Sequence, residues 1–367
     1  MRTSAIPIPT GLADLTPAWL SAALAGPAPG APDTASPPGV AARVVDARVE
    51  PIGTGQIADS ARVTLTWDPP AAGPPTVVAK VTAASEASRQ AGLFSRTYEV
   101  EVGFYLQIAP DLEARVPRCH WAGFDGGAAA YAVLLEDVAP AVQGDQVAGC
   151  TPDDADAALA ELARLHAPRW GDRSLRDVDW LARDGGRDRG GDLGPVLATM
   201  LPGFLDRYGD RMSPEVVALT ERFVPRLDRY GTDGSAPETI IHGDYRIDNL
   251  MFGLDRVVVL DWQTVGVGAA LSDASYLLGG SLVPAARREV EEGLVRGYWE
   301  RLVAGGVGCS WEACWEDHRR YAFAGLIMAV FASMVVQRTP RGDEMFVAMA
   351  ERAGLHALDL ESESLLR

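Results

Sequence analysis

Before Thr151 most of the apolar pattern of this chain reads as strands; from Thr151 its character changes to helix. The alternation predicts strands over 43–52, 61–67 and 76–81, with Val63, Leu65 and Trp67 on one face of the second. Gly53-Thr54-Gly55 joins the first pair and a proline-dense turn over 68–75 the second. A helix is expected over 96–109, where Val100, Phe104 and Ile108 are spaced i, i+4, i+8 and Tyr105 widens the face. Two further strands are expected to bracket 123–127; the second, 131–135, is apolar throughout and ends in Glu136-Asp137. Thr151-Pro152-Asp153-Asp154 reads as a helix cap leading into 158–166. After it, clear strand signals lie near Ile240 and over 257–260. Thr16 and Pro17 read as the cap and first residue of a short early helix, and 25–39 as a Pro/Ala/Gly linker. The expectation is an α+β chain: an extension over 1–40, a small β-rich region over 41–137, and a larger helical region over 138–367. The longest apolar run, 322–336, is flanked by Arg319, Arg320 and Arg338 and falls short of the ~20 residues that cross a bilayer. With Gly325 and Ser333 inside it, it reads as a buried core helix.

A length of 367 residues suits about two domains, and 47% hydrophobic with 23% charged residues is ordinary for a soluble protein. The net charge of −17 argues against nucleic acid or an anionic membrane as partner. It would attract a cationic small molecule, or serve solubility alone. Cys119, Cys150, Cys309 and Cys314 match no zinc spacing. The N-terminal stretch has one early positive charge, Arg2, and is broken by prolines, so no secretory pattern is read. A reduced, cytoplasmic monomer or homodimer is expected.

The candidate chemistry lies in His242-Gly243-Asp244-Tyr245-Arg246-Ile247-Asp248-Asn249 and in Asp261, which follows the apolar run Val257-Val258-Val259-Leu260. Asp244 can take a proton from an alcohol, and Asn249 and Asp261 are hard oxygen donors suited to Mg²⁺ on a nucleotide. Arg246 would reach a transferring phosphoryl group or form a salt bridge; His242 fits a hydrogen-bonding loop residue better than a metal ligand. Lys80 ends a Val-Val-Ala-Lys strand, where ATP phosphates and a helix carboxylate, Glu99 or Glu101, would justify it. Gly53, Gly55, Gln56 and Ser60 belong to a strand–turn–strand, which suits a hairpin lid over phosphates and not a Rossmann or Walker loop.

This order of parts resembles the protein-kinase-like superfamily, with its bilobal fold of small β-rich and larger helical lobes. His-Gly-Asp at 242–244 is similar to the aminoglycoside phosphotransferase branch. Asn249-Leu250-Met251-Phe252, Leu260-Asp261-Trp262-Gln263, Leu134-Leu135-Glu136-Asp137, Gly144-Asp145-Gln146 and Glu101-Val102-Gly103-Phe104-Tyr105 resemble the ecdysteroid-kinase-like and choline-kinase-like (CHK-like) group. The stretch 242–250 also resembles phosphotransferase modules fused to acyl-CoA dehydrogenases. The resemblance covers roughly 45–340. It implies Asp244 as base, Asn249 and Asp261 as magnesium ligands, Lys80 as phosphate anchor paired with Glu101 and not Glu99, backbone groups of Glu136 and Val138 for adenine, and Asp273 as a brace of the catalytic loop. Asp-Trp-Gln replaces Asp-Phe-Gly, and no activation loop is evident. The implied activity is ATP- and Mg²⁺-dependent phosphorylation of a small-molecule hydroxyl, on an antibiotic-, amino-alcohol- or sterol-like acceptor. The alternatives are a nucleotide-binding pseudokinase or a protein kinase; a glycosidase would not need the hairpin and Lys80. Acceptor contacts are expected over 170–235 and 275–345, with Asp177, Asp179 and Asp184 for a cation, or Trp170 and Trp180 for a flat apolar alcohol.

Overall fold

The computed structural model describes residues 1, 6–26, 29, 42–53, 57–181, 189–231 and 237–366. The chain divides into two compact units, one of Met1–Leu112, Val116–Ala139 and Leu260–Thr264, the other of Glu113–Arg115, Pro140–Val259 and Val265–Arg367.

The first unit opens with α1 (Pro17–Leu24), capped where the sequence indicated: the Thr16 side chain accepts a hydrogen bond from the Trp19 amide. Strands β1 (Arg43–Pro51), β2 (Ala58–Asp68) and β3 (Thr76–Thr82) follow. Then come α2 (Glu86–Phe94), α3 (Thr97–Gln107), β4 (Cys119–Asp125) and β5 (Ala130–Glu136). The five strands form an antiparallel sheet in the order β1-β2-β3-β5-β4. One face carries Val63, Leu65, Val77, Ala79, Val81, Trp121 and Leu134 and packs against Leu15, Leu20 and Ala23. The period of two puts Lys80, between buried Ala79 and Val81, on the opposite face. Helix α2 was not anticipated: Glu86–Phe94 has few apolar positions, and Ser85, which caps it, is its clearest signal. Gly123 lies inside β4, not in the turn, because residues 123–125 still pair with β5; the Trp121 ring covers it, and a Cβ there would come within 2.5 Å of the indole. Expected positions Val100, Phe104 and Tyr105 are buried on α3, and Ile108 is buried at its C-terminal cap.

The second unit begins with β6 (Val142–Gln143) and α4 (Pro152–His166). Thr151 and Asp154 form a reciprocal capping box at the start of α4. It continues with α5 (Arg189–Tyr208), α6 (Pro214–Phe223), β7 (Thr239–Ile241), β8 (Leu250–Phe252), β9 (Val258–Val259) and β10 (Gly266–Gly268). Five helices close it: α7 (Leu271–Ser281), α8 (Pro284–Ala304), α9 (Trp311–Arg320), α10 (Ala324–Val335) and α11 (Pro340–Asp359). The short strands pair as β6-β8-β9 and β7-β10. Strands β8 and β10 escaped the sequence reading because three residues are too few to display alternation. Helix α10 occupies the long apolar run, with Gly325 and Ser333 buried in it. Among the described residues no helix is long and apolar enough to cross a membrane. All four cysteines are free.

Candidate active site

In the first unit Lys80 is the hub. Its ammonium lies 2.6 Å from Glu101 Oε1 and 2.9 Å from Asp261 Oδ1. Glu99 points elsewhere and pairs with Arg96 at 2.8 Å. Burial works to lower the pKa of the Lys80 ammonium, but Asp261 and Glu101 outweigh it and hold it above its ordinary value. Glu101 is wholly buried, and its second oxygen accepts from the Tyr131 hydroxyl. Tyr131 stacks on Tyr98 with centroids 4.5 Å apart. Asp261 stands in the left-handed region at φ 62°, strained for a non-glycine residue, and its side chain is 39% exposed. The following Trp262 fixes it, stacked on Phe104 of α3 at 3.9 Å between centroids.

Ser60 lies directly across the β2–β3 ladder from Lys80, so the two share a sheet face. Gly53 turns the hairpin at φ 70°; Gly55 and Gln56 lie outside the described residues. The Glu136 amide donates to the Arg118 carbonyl at 2.8 Å, and its carboxylate accepts from the Arg118 amide at 3.0 Å. Val138, just beyond, is buried. Asp137 between them holds Arg62 through two hydrogen bonds of 2.7 and 3.1 Å.

In the second unit the loop from β7 to β8 carries Asp244, Arg246 and Asn249. Asp273, in the first turn of α7, accepts from the His242 amide at 2.6 Å and the Gly243 amide at 2.9 Å. Burial works to raise the Asp273 carboxyl, but the hydrogen bond to His166 and the Gly243 amide hold it below its ordinary value. His242 is buried, and its Nδ1 accepts from the Asp244 amide at 3.2 Å, the hydrogen-bonding role. From the other side the Gln146 side-chain oxygen accepts from the Ile247 amide at 3.1 Å, and the Gln146 backbone N–H donates to Asp248 Oδ1 at 2.7 Å. Gly144 makes room: a Cβ there would come within 2.5 Å of the Ile247 carbonyl.

Asp244 is thereby held by both oxygens. Tyr276 donates its hydroxyl to Oδ1 at 2.8 Å; Arg246 Nε and Asn249 Nδ2 donate to Oδ2 at 3.2 and 3.0 Å. Burial and the neighbouring Asp244 charge push the Tyr276 phenol well above its usual range, so it remains a donor. Three of the roughly four lone-pair directions of this carboxylate are taken, which leaves one for an incoming hydroxyl. Asn249 turns its amide nitrogen to Asp244, so its carbonyl oxygen is the atom that can serve a cation. Arg246 is no surface residue: its side chain is 19% exposed and also pairs with Asp248 at 2.7 Å. Trp180 is buried, Trp170 partly so and Asp177 exposed, while Asp184 lies outside the described residues. Tyr131, Tyr276 and Asp248 went unnoticed in the sequence. Tyr276 carried one usable signal: it stands three residues after Asp273, on the same face of α7.

A five-stranded antiparallel sheet bearing a Lys–Glu pair, with a helical unit bearing a braced His-x-Asp loop, defines the protein-kinase-like class. Within it the chain belongs to the phosphotransferase enzyme family (APH), whose sequence model matches residues 50–305. It is a phosphotransferase acting on hydroxyl substrates. Among the solved structures that share the fold are these two. One, from Ralstonia eutropha JMP134, is assigned as an aminoglycoside phosphotransferase; it is 16% identical over 93% of this chain and 97% of its own, with a TM-score of 0.51. The other is a choline kinase from Cryptosporidium parvum Iowa II, 11% identical over 86% of this chain and 89% of its own, with a TM-score of 0.50. No curated protein sequence matches the chain.

Proposed function

We propose that the protein transfers the γ-phosphoryl group of ATP to the hydroxyl of a small molecule, with Asp244 as the base. The observation that carries this is the coordination of Asp244: two donors on one oxygen, one on the other, on a loop fixed by Asp273. Such a carboxylate is aimed before the substrate arrives, and positioning is most of what phosphoryl transfer asks of a protein. The acceptor oxygen forms a bond to the γ-phosphorus as the bond to the bridging oxygen breaks. The electron pair leaves with ADP, and the hydroxyl proton passes to Asp244. Lys80, kept charged by Asp261 and Glu101, anchors phosphate oxygens, and Arg246 steadies the loop or the moving phosphoryl group. Gly53, Gly55, Gln56 and Ser60 would cover the phosphates, with Glu136 and Val138 presenting backbone groups to adenine.

The donors proposed for Mg²⁺ suit it: the partly exposed Asp261 carboxylate and the Asn249 carbonyl oxygen are both hard oxygens, and Mg²⁺ takes one or two carboxylates beside phosphate oxygens. When bound, the ion would neutralise charge on the phosphates. The test is ADP release from ATP on addition of alcohols, with and without Mg²⁺. Alcohol-dependent, Mg²⁺-dependent release is expected. ATP binding without ADP release across the set would favour a nucleotide-binding protein that does not turn over.

A further inference from the structure

Every solvent-reaching position of α10 is apolar. Ala324, Met328, Phe331, Ala332, Met334 and Val335 are part-exposed or exposed, Val335 at 56%, while the one polar residue, Ser333, is buried. A helix apolar on all sides is ordinarily buried on all sides, and among the described residues nothing covers this one along one face. The face extends over neighbouring helices. Arg207 of α5 donates to the Ser333 carbonyl at 2.7 Å, and the Met334 sulfur would lie 3.5 Å from a Cβ on the exposed Gly203. Helix α5 adds Leu193, Val196 and Met200, and α11 adds Met345. Four of the eight methionines, Met200, Met328, Met334 and Met345, are half-buried here. Unbranched, polarisable thioethers suit an apolar surface that must shape itself to a ligand.

Two threads tie this face to Asp244. The Tyr276 ring belongs to the same apolar cluster, close to Gly325 of α10, and its hydroxyl is the one that holds Asp244. The Met345 sulfur lies 3.5 Å from Arg246 Nη1, whose guanidinium also holds Asp244. Charge points the same way. Asp248 pairs with Arg246 and Arg341, Asp145 with Arg341, and Asp343 with Arg338 and the Tyr208 hydroxyl. A cationic acceptor would find these acids already matched by arginines.

Resting on the phosphotransferase reading of Asp244, we infer that the acceptor is an uncharged alcohol with a large hydrocarbon body, seated on the α5–α10–α11 face with its hydroxyl at Asp244. The bond changes are those given above, with ATP as donor and ADP as leaving group. The full-length chain with ATP and Mg²⁺ is offered two sets of acceptors: dodecanol, cholesterol and a neutral macrolactone, against choline and kanamycin. Phosphate esters are read by mass spectrometry, with Asp244→Asn as control. At least one neutral alcohol is expected to be phosphorylated in an Asp244-dependent way. Met328→Gln should raise its KM about tenfold, the loss expected from removing one well-buried apolar contact, with kcat little changed. Val335→Asp, at an exposed site that spares the fold, should do the same. Asp244-dependent turnover confined to choline or kanamycin overturns the inference and leaves the enzyme reading standing. Turnover of neither set overturns the inference as well, and turnover that survives Asp244→Asn overturns the reading beneath it.

Discussion

At the scale of single residues, the candidate site was legible where residue types and spacing pointed to it, and illegible where contact depends on folding. Asp244, Asn249 and Asp261 stand out because a carboxylate, an amide and a second carboxylate at those intervals have few other uses. Tyr131 and Tyr276 do not stand out, since their partners Glu101 and Asp244 lie 30 and 32 residues away. The choice between Glu99 and Glu101 needed the helix face, and the structure puts Glu101 on Lys80 and Glu99 on Arg96. Glu101→Gln is expected to weaken ATP binding by ~1–3 kcal/mol, because a buried charge-assisted bond that orients Lys80 is lost. Glu99→Gln should change it little, a part-exposed pair being worth about 0–1 kcal/mol. Calorimetric titration of both variants with ATP decides; a larger loss in Glu99→Gln would contradict the assignment. Asp261→Ala is expected to remove the Mg²⁺ dependence of nucleotide binding, while an undiminished difference between titrations with and without Mg²⁺ would move the metal elsewhere.

At the scale of elements, the sequence announced long and periodic pieces and missed short ones. Helices α3 and α4 showed themselves through apolar spacing and a capping box; α2, β8 and β10 offered neither. A further feature joins four helices and was equally silent. Glu291 of α8 accepts from His318 of α9 at 2.9 Å and His356 of α11 at 2.5 Å, and pairs through its other oxygen with Arg287; His318 also meets Ser275 of α7. Ligands of a tetrahedral zinc would stand ~3.4 Å apart, so these closer contacts are hydrogen bonds. Burial works to raise the Glu291 carboxyl, but His356, His318 and their hydrogen bonds hold it far below its ordinary value. Burial holds the His356 imidazole below its ordinary value too. In both cases the unfolded chain binds the proton more tightly, so the stability they contribute is present at neutral pH and lost as pH falls. His356 loses it below its ordinary value of 6.5, and Glu291 further down, through the carboxylate range. The melting temperature should therefore drop between pH 7.5 and 5. Glu291→Gln should cost about 3–5 kcal/mol at neutral pH, and because Glu291 works to raise the His356 imidazole, its loss should steepen that slope. A variant that melts like the parent at both pH values would remove the role given to this cluster.

At the scale of the molecule, the alternation in the first part of the chain and the helical period in the rest carried the α+β architecture, and the motif order carried the fold class. The acceptor was not legible, because its contacts come from helices far apart in sequence. The net charge of −17 left a cationic partner and mere solubility both open; the arginines matched to Asp145, Asp248 and Asp343 favour the uncharged acceptor inferred above. Salt separates the cases, since screening weakens cation capture and leaves apolar burial in place. The acceptor KM should stay flat or fall as ionic strength rises; a steep rise would restore the cation. The most direct test of the whole account remains Asp244→Asn. The amide oxygen can accept from Arg246 and Asn249, and its NH₂ can donate to a rotated Tyr276 hydroxyl, so the loop should keep its shape and ATP its affinity. Alcohol-dependent ADP release should fall ~10²–10⁴-fold, the loss typical of removing a general base. Release close to the parent rate, in a variant that folds and binds ATP, would contradict the claim that Asp244 takes the proton.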